Sequence, residues 1–93
     1  MNTEQLSAAA IAQVPVVFLA VTPGIESVLL IKGESEAQRA RYARDAAAGI
    51  SLLIGALMAI VAKDAAPFLF AVVATAAMFF VYEKLITVQV GEK

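Results

Sequence analysis

Three long uncharged segments constrain this 93-residue chain more than any other feature of its sequence. No charged residue occurs over residues 5–25, 46–62 or 68–82, and 61% of the chain is hydrophobic against 16% charged. A soluble domain carries about 45–50% apolar and about 25% charged residues, and a chain this short leaves much of its surface exposed. The composition therefore predicts an all-α, small membrane-type protein. We expect one domain over residues 1–93, with a kinked N-terminal apolar helix followed by an antiparallel helical hairpin.

The first apolar segment, residues 5–31, is long enough to cross a hydrocarbon layer of about 30 Å at about 1.5 Å per residue. Pro15 removes a backbone donor and predicts a kink near residues 11–13. The sequence Thr-Pro-Gly at residues 22–24 predicts a break. Glu26 is then expected near the N-terminus of a restarted helix, where a carboxylate suits the dipole. Because no basic residue precedes the apolar run, we expect it to belong to the working protein rather than to a cleaved signal.

A charged segment, residues 32–45, follows the first apolar segment. Ser35 followed by Gln38 is typical of a helix N-cap, so a second helix is expected to begin near Glu36. The three arginines of this segment are candidate contacts to lipid head groups. These are Arg39, Arg41 and Arg44. The alternative is a solvated helical face in which the arginines pair locally, each pair contributing about 0.2–0.5 kcal/mol. The acidic partners for such pairs are Glu34, Glu36 and Asp45.

Residues 46–83 are expected to form the hairpin. Small residues recur every four positions in its first helix, which places them in one column suited to close packing against another helix. This small-residue column consists of Ala47, Ser51, Gly55 and Ala59. In the turn, Lys63 suits the C-terminal end of the preceding helix, Asp64 can cap the next helix, and Pro67 is tolerated in a first helical turn. Because so few residues separate the two apolar runs, the helices are predicted to be antiparallel neighbours.

The distribution of lysine and arginine predicts an orientation in the membrane. Three crossings would place residues 32–45 and the C-terminus on one side, with Lys63 and the N-terminus on the other. The side richer in lysine and arginine is cytoplasmic by the positive-inside rule. Two crossings, with residues 5–31 lying along the membrane or packed on the hairpin, give the same orientation, so both arrangements stay open.

The polar side chains available for chemistry are few. The chain contains no cysteine and no histidine, which excludes disulfides, thiolate metal sites and the commonest acid-base group. Phosphate loops, dinucleotide loops and zinc-ligand spacings are also missing from the sequence. Polar side chains within the apolar runs include Ser7, Gln13, Thr22, Glu26, Ser51 and Thr75. We therefore expect no catalytic residue, no metal site, no cofactor and no enzymatic activity.

The hairpin of residues 45–83 resembles that of conjugative pilins, the subunits of type IV secretion pili, including archaeal DNA-import pili. The likeness lies in the apolar helix that ends at residues 59–62, the charged turn Lys63-Asp64 and the apolar helix that begins at residues 67–69. It implies subunits that are stored in the membrane and stacked with bound phospholipid into a hollow extracellular filament.

The same resemblance implies partners and a role for the turn. The partners would be other copies of the chain, membrane lipid and secretion-type membrane machinery. Lys63 and Asp64 would face the filament lumen, through which single-stranded DNA passes. A solvated turn with two helix-end charges is an equal alternative for these two residues.

Three other classes of protein share these features. A holin-like pore former is short, has two or three spans and carries a charged segment. Small accessory subunits of respiratory or transport complexes have a similar size and hydropathy, and so do the envelope proteins of filamentous viruses. The sequence leaves these alternatives open.

Overall fold

The chain folds into three long α-helices in a computed structural model that describes residues 2–33 and 35–90. The helices are α1 (Thr3–Ile31), α2 (Glu36–Ala62) and α3 (Ala66–Val90), and no strand occurs within the described residues. Each helix is long and apolar enough to cross a membrane. The bundle is 44 Å long, which exceeds a hydrocarbon thickness of about 30 Å. The prediction of an all-α membrane-type fold is confirmed.

Helix α1 begins with a cap that the sequence analysis overlooked. The Gln5 backbone N–H donates to the Asn2 side chain at 2.8 Å, and the Asn2 backbone N–H donates to the Gln5 side chain at 3.1 Å. This reciprocal capping box satisfies two N–H groups at the helix start that have no partner within the helix.

The predicted break at residues 22–24 is wrong, because α1 runs without interruption from Thr3 to Ile31. Both prolines lie on the exposed side of the helix, so their rings do not disturb the interior. The Thr22 hydroxyl donates to the Phe18 carbonyl, and the Ser27 hydroxyl donates to the Pro23 carbonyl at 2.9 Å. Proline is more frequent in membrane helices than in soluble ones, so a continuous helix through Pro23 suits an apolar segment.

Two further expectations depended on that break. Glu26 lies inside the continuous helix α1 rather than at the start of a new one, so its predicted capping role is wrong. The kink near residues 11–13 stays a prediction.

The ends of α2 and α3 follow the capping residues. The Gln38 backbone N–H donates to the Ser35 hydroxyl at 3.3 Å, which confirms Ser35 as the N-cap of α2. Helix α3 continues to Val90, so residues 85–90 are helical although most of them are β-branched.

Side chains from all three helices meet along the centre of the bundle. Val14 and Phe18 of α1 pack with Ala47 of α2, and all three are fully buried. The rings of Phe18 and Tyr82 lie 5.0 Å apart between their centroids, which is within the range of a favourable aromatic pair. In α2 and α3, Gly55 lies against Ala71 and Arg44 reaches Glu83. A residue nearer the start of α2 therefore contacts a residue nearer the end of α3. This is the order of two antiparallel helices.

Candidate functional site

The turn between α2 and α3 exposes the two charges that the sequence analysis singled out. The Asp64 N–H donates to the Ala59 carbonyl and the Lys63 N–H to the Ile60 carbonyl, each at 3.2 Å. These two bonds form a Schellman-type helix end. The Asp64 carboxylate then accepts from the Ala66 N–H at 2.9 Å and caps α3, as predicted. Backbone bonds at both helix ends therefore hold the exposed Lys63 and Asp64 side chains at one end of the bundle.

Lys63 adopts a left-handed backbone conformation, with φ 56° and ψ 37°, at the position that glycine usually occupies in this motif. A residue with a Cβ atom loses free energy in this conformation. Replacing Lys63 with glycine is therefore expected to raise the free energy of unfolding by about 0.5–1 kcal/mol. Denaturant titration of the protein in detergent micelles measures this change.

Lys32 offers a matched control, because it is an exposed lysine at the end of α1 with φ −79°. Lys32→Gly relieves no strain and should leave stability unchanged or lower it. Equal effects of the two substitutions would contradict the backbone explanation for Lys63.

A charged cluster lies at the opposite end of α2 and α3. Arg44 is buried, and its guanidinium donates to the Glu83 carboxylate and, at 3.2 Å from both Nε and Nη2, to Asp45 Oδ1. Its Cζ atom lies 3.9 Å from the centroid of the Phe79 ring, a cation–π distance. We name Arg44, Asp45, Phe79 and Glu83 the Arg44 cluster. It joins the polar start of α2 to the end of the apolar run in α3.

The predicted head-group contacts divide into two kinds in the structure. Arg39 and Arg41 are half-buried on the polar start of α2, whereas Arg44 points into the bundle. Burial directs the Arg44 guanidinium to Asp45 and Glu83 of the same chain, and its contact with lipid head groups stays a prediction. The suggested local partner Asp45 does bind Arg44, whereas Glu34 lies outside the described residues.

The small-residue column lies inside the bundle. Ala47, Ser51 and Gly55 are buried and Ala59 is half-buried. Ala47 packs against α1, and a Cβ atom added at Gly55 would collide with the Ala71 Cβ of α3. Helices of the same chain therefore cover the buried part of this column.

Two side-chain contacts of these residues were not predicted from the sequence. The sequence analysis did not pair Glu83 with Arg44, although Arg44 lies 20 positions before Asp64 and Glu83 lies 19 positions after it. That near-equal distance from the turn is the signal that pairs them in an antiparallel hairpin. Gln13 was noted only as a polar residue, yet its amide donates to the Ser51 carbonyl at 3.1 Å. The pairing of α1 with α2 has no comparable short turn, so the sequence carries no such signal for it.

The described residues contain no group of three or more acidic side chains that could hold a metal ion. The features available for function are therefore an exposed charged turn, a buried charged cluster and apolar helix faces. A comparison with known proteins found no family model, curated protein or solved structure that matches this chain. Its length, composition and three apolar helices are those of an all-helical, membrane-associated protein.

Proposed function

We propose that this chain is the structural subunit of a helical, conjugative-type pilus, a hollow and lipid-containing filament for DNA transfer or import. The subunit is stored in the membrane and assembles outside the cell through secretion-type membrane machinery. Its role is structural and not catalytic. The proposal rests on the pilin-like pattern of residues 45–83 together with the surface of the folded bundle.

The observation that carries the proposal is the apolar outer surface of all three helices. Large hydrophobic side chains are exposed on each helix, whereas the described polar contacts concentrate at helix ends and inside the bundle. Lipid covers such a surface in a membrane, and neighbouring subunits cover it in a filament. Examples are Val16 and Leu19 of α1, Leu53 and Leu57 of α2, and Val73 and Phe80 of α3.

The turn supports the proposal by its position and exposure. Lys63 and Asp64 lie at one tip of a bundle 44 Å long, so helical stacking of subunits would line these tips along one surface. A lumen lined by one lysine and one aspartate per subunit has nearly balanced charge. Such a lumen lets an anionic polymer pass without holding it as a strongly basic surface would.

Subunit contacts in this filament come from the outer faces and not from the small-residue column, since that column packs within the chain. Arg39 and Arg41 lie at the polar start of α2, where anionic lipid head groups would meet them. The proposal thus assigns bound phospholipid to the space between the helix faces of neighbouring subunits.

Negative-stain electron microscopy of sheared cell supernatant tests the proposal, with mass spectrometry identifying the filament protein. We expect thin filaments in which this chain is the main component. Supernatant without such filaments, from cells that contain the chain in their membranes, would refute the proposal.

Charge substitutions at the two ends of the bundle test the lumen assignment. Lys63→Glu leaves two negative charges per turn and is expected to lower DNA passage severalfold while filaments still form. Lys32→Glu makes the same charge change at the other end and serves as the control. Equal loss of DNA passage in both variants would contradict a lumen-facing turn.

A further inference from the structure

One polar side chain from each helix lies in the same layer of the bundle. Gln13 of α1 donates its amide N–H groups to the Ala10 carbonyl at 3.0 Å and to the Ser51 carbonyl of α2 at 3.1 Å. Ser51 lies one turn from Gly55, Thr75 lies one turn from Ala71, and Gly55 is against Ala71. The antiparallel order of α2 and α3 therefore brings Ser51 and Thr75 to the same level. We name Gln13, Ser51 and Thr75 the polar layer.

Three buried polar atoms of this layer have no hydrogen-bond partner among the described residues. They are Gln13 Oε1, Ser51 Oγ and Thr75 Oγ1. Ser51 is 0% exposed and Thr75 is 5% exposed. The amide nitrogen of Gln13 is identified by its two carbonyl acceptors, so Oε1 is the remaining acceptor. The layer thus contains one acceptor and two hydroxyls, each of which can both donate and accept.

The position of the layer makes polar atoms without hydrogen bonds strongly unfavourable in free energy. Thr75 lies 11 positions after Asp64 and eight before Glu83, which is about 16 Å and 12 Å at 1.5 Å per residue. The layer is therefore in the hydrocarbon region if α3 crosses a membrane, where lipid supplies no hydrogen bonds. Polar residues at this depth commonly face one another or a water-filled space.

We propose that the polar layer is a binding site for water in the middle of the bundle. A water molecule has two donors and two acceptor sites, so it can donate to Gln13 Oε1 and accept from a hydroxyl of Ser51 or Thr75. Buried waters in proteins typically make about three such bonds to otherwise unsatisfied groups. Water bound here joins α1, α2 and α3 through side chains that make few direct bonds between helices.

The structure also offers a route for water into this layer. Thr75 lines an open groove of about 420 Å³ between α2 and α3. The other lining residues are apolar: Ala48, Leu52, Val72, Ala76, Phe79 and Phe80. Local separation of α2 and α3 at this groove would admit water to Thr75.

Thr75→Val tests the site, because it removes one hydroxyl and keeps the shape of the side chain. We expect a roughly threefold to tenfold rise in the unfolding equilibrium constant of the full chain in detergent. Thr22→Val is the matched control. Thr22 is also buried, at 6% exposed, but its hydroxyl bonds the Phe18 carbonyl of its own helix.

The direction and size of the change in the unfolding constant of Thr75→Val show whether the layer holds water. A fall in the unfolding constant would mean that the layer is dry and that the hydroxyl destabilises it. An effect equal to that of Thr22→Val would mean that the Thr75 hydroxyl bonds its own helix. Either result would overturn the proposal.

Solid-state NMR in lipid gives a second and direct measurement. We expect magnetisation transfer from water to the side-chain amide of Gln13, and its loss in the Ser51→Ala/Thr75→Val double variant. Absence of this transfer in the natural protein would overturn the proposal even if Thr75→Val is destabilising.

Discussion

Replacing Gly55 with alanine is expected to destabilise the bundle by about 2–3 kcal/mol, because Gly55 is the only described glycine at which an added Cβ atom would meet a neighbour within 4 Å. The added Cβ atom would lie well inside the van der Waals distance of the Ala71 Cβ. The Phe68 Cα and the Pro67 carbonyl oxygen, each 3.8 Å away, limit sideways relief. Helices α2 and α3 must therefore separate, and loss of close packing removes much of what holds membrane helices together.

Gly49 provides the matched control for Gly55. It lies in the same helix and a Cβ atom there would meet nothing within 4 Å. Gly49→Ala is expected to stabilise the helix by about 0.5–1 kcal/mol, because alanine has the higher helix propensity. Denaturant titration of both variants in the same detergent measures the difference.

A second substitution locates the cause of the Gly55→Ala effect. Ala71→Gly removes the atom with which the new methyl group collides. The Gly55→Ala/Ala71→Gly double variant is therefore expected to recover more than half of the lost stability. Two results would contradict a close contact of α2 and α3 at this point. One is a Gly55→Ala variant as stable as Gly49→Ala, and the other is no recovery of stability when Ala71→Gly is added to Gly55→Ala.

Replacing Arg44 with alanine is expected to lower the free energy of unfolding by about 2 kcal/mol. The substitution removes the bonds to Glu83 and Asp45, the contact with the Phe79 ring and the packing of a buried side chain. The effect is smaller than for a fully buried ion pair because the Glu83 and Asp45 side chains are 41% and 56% exposed. Water therefore solvates both carboxylates when the arginine is gone.

Two other variants distinguish the contributions to the Arg44 cluster. Arg44→Lys keeps the charge but loses the planar fork that binds two carboxylates and lies over Phe79, so we expect about half of the alanine effect. Lys84→Ala removes an exposed charge beside Glu83 and is the control, with an expected change within about 0.5 kcal/mol. Equal stability of Arg44→Ala and Lys84→Ala would show that the Arg44 cluster contributes nothing.

The positions of the helices were predictable because local signals determine them. Uncharged runs require helix in an apolar solvent, where each backbone N–H needs a partner within its own segment. Ser35 and Asp64 mark two helix starts through side chains that bond nearby backbone groups. Such contacts span two or three residues, so they can be read from the sequence.

Prediction from neighbouring residues failed where the environment of a residue changed its effect on helix formation. Proline at residue 23 predicted a break under rules for helices in water. In α1 this proline lies on an exposed face, away from the helices that pack against α1. The same sequence therefore continues as helix.

The sequence by itself determined the three apolar helices, the caps that begin α2 and α3, and the charged turn at Lys63 and Asp64. The tertiary structure decided which faces meet. It buried the small-residue column within the chain, directed Arg44 to Glu83 and brought Gln13 to Ser51. The physical reason is the distance along the chain: caps join groups a few residues apart, whereas Gln13 and Ser51 are 38 residues apart. Their contact depends on how α1 packs against α2, which no local pattern specifies.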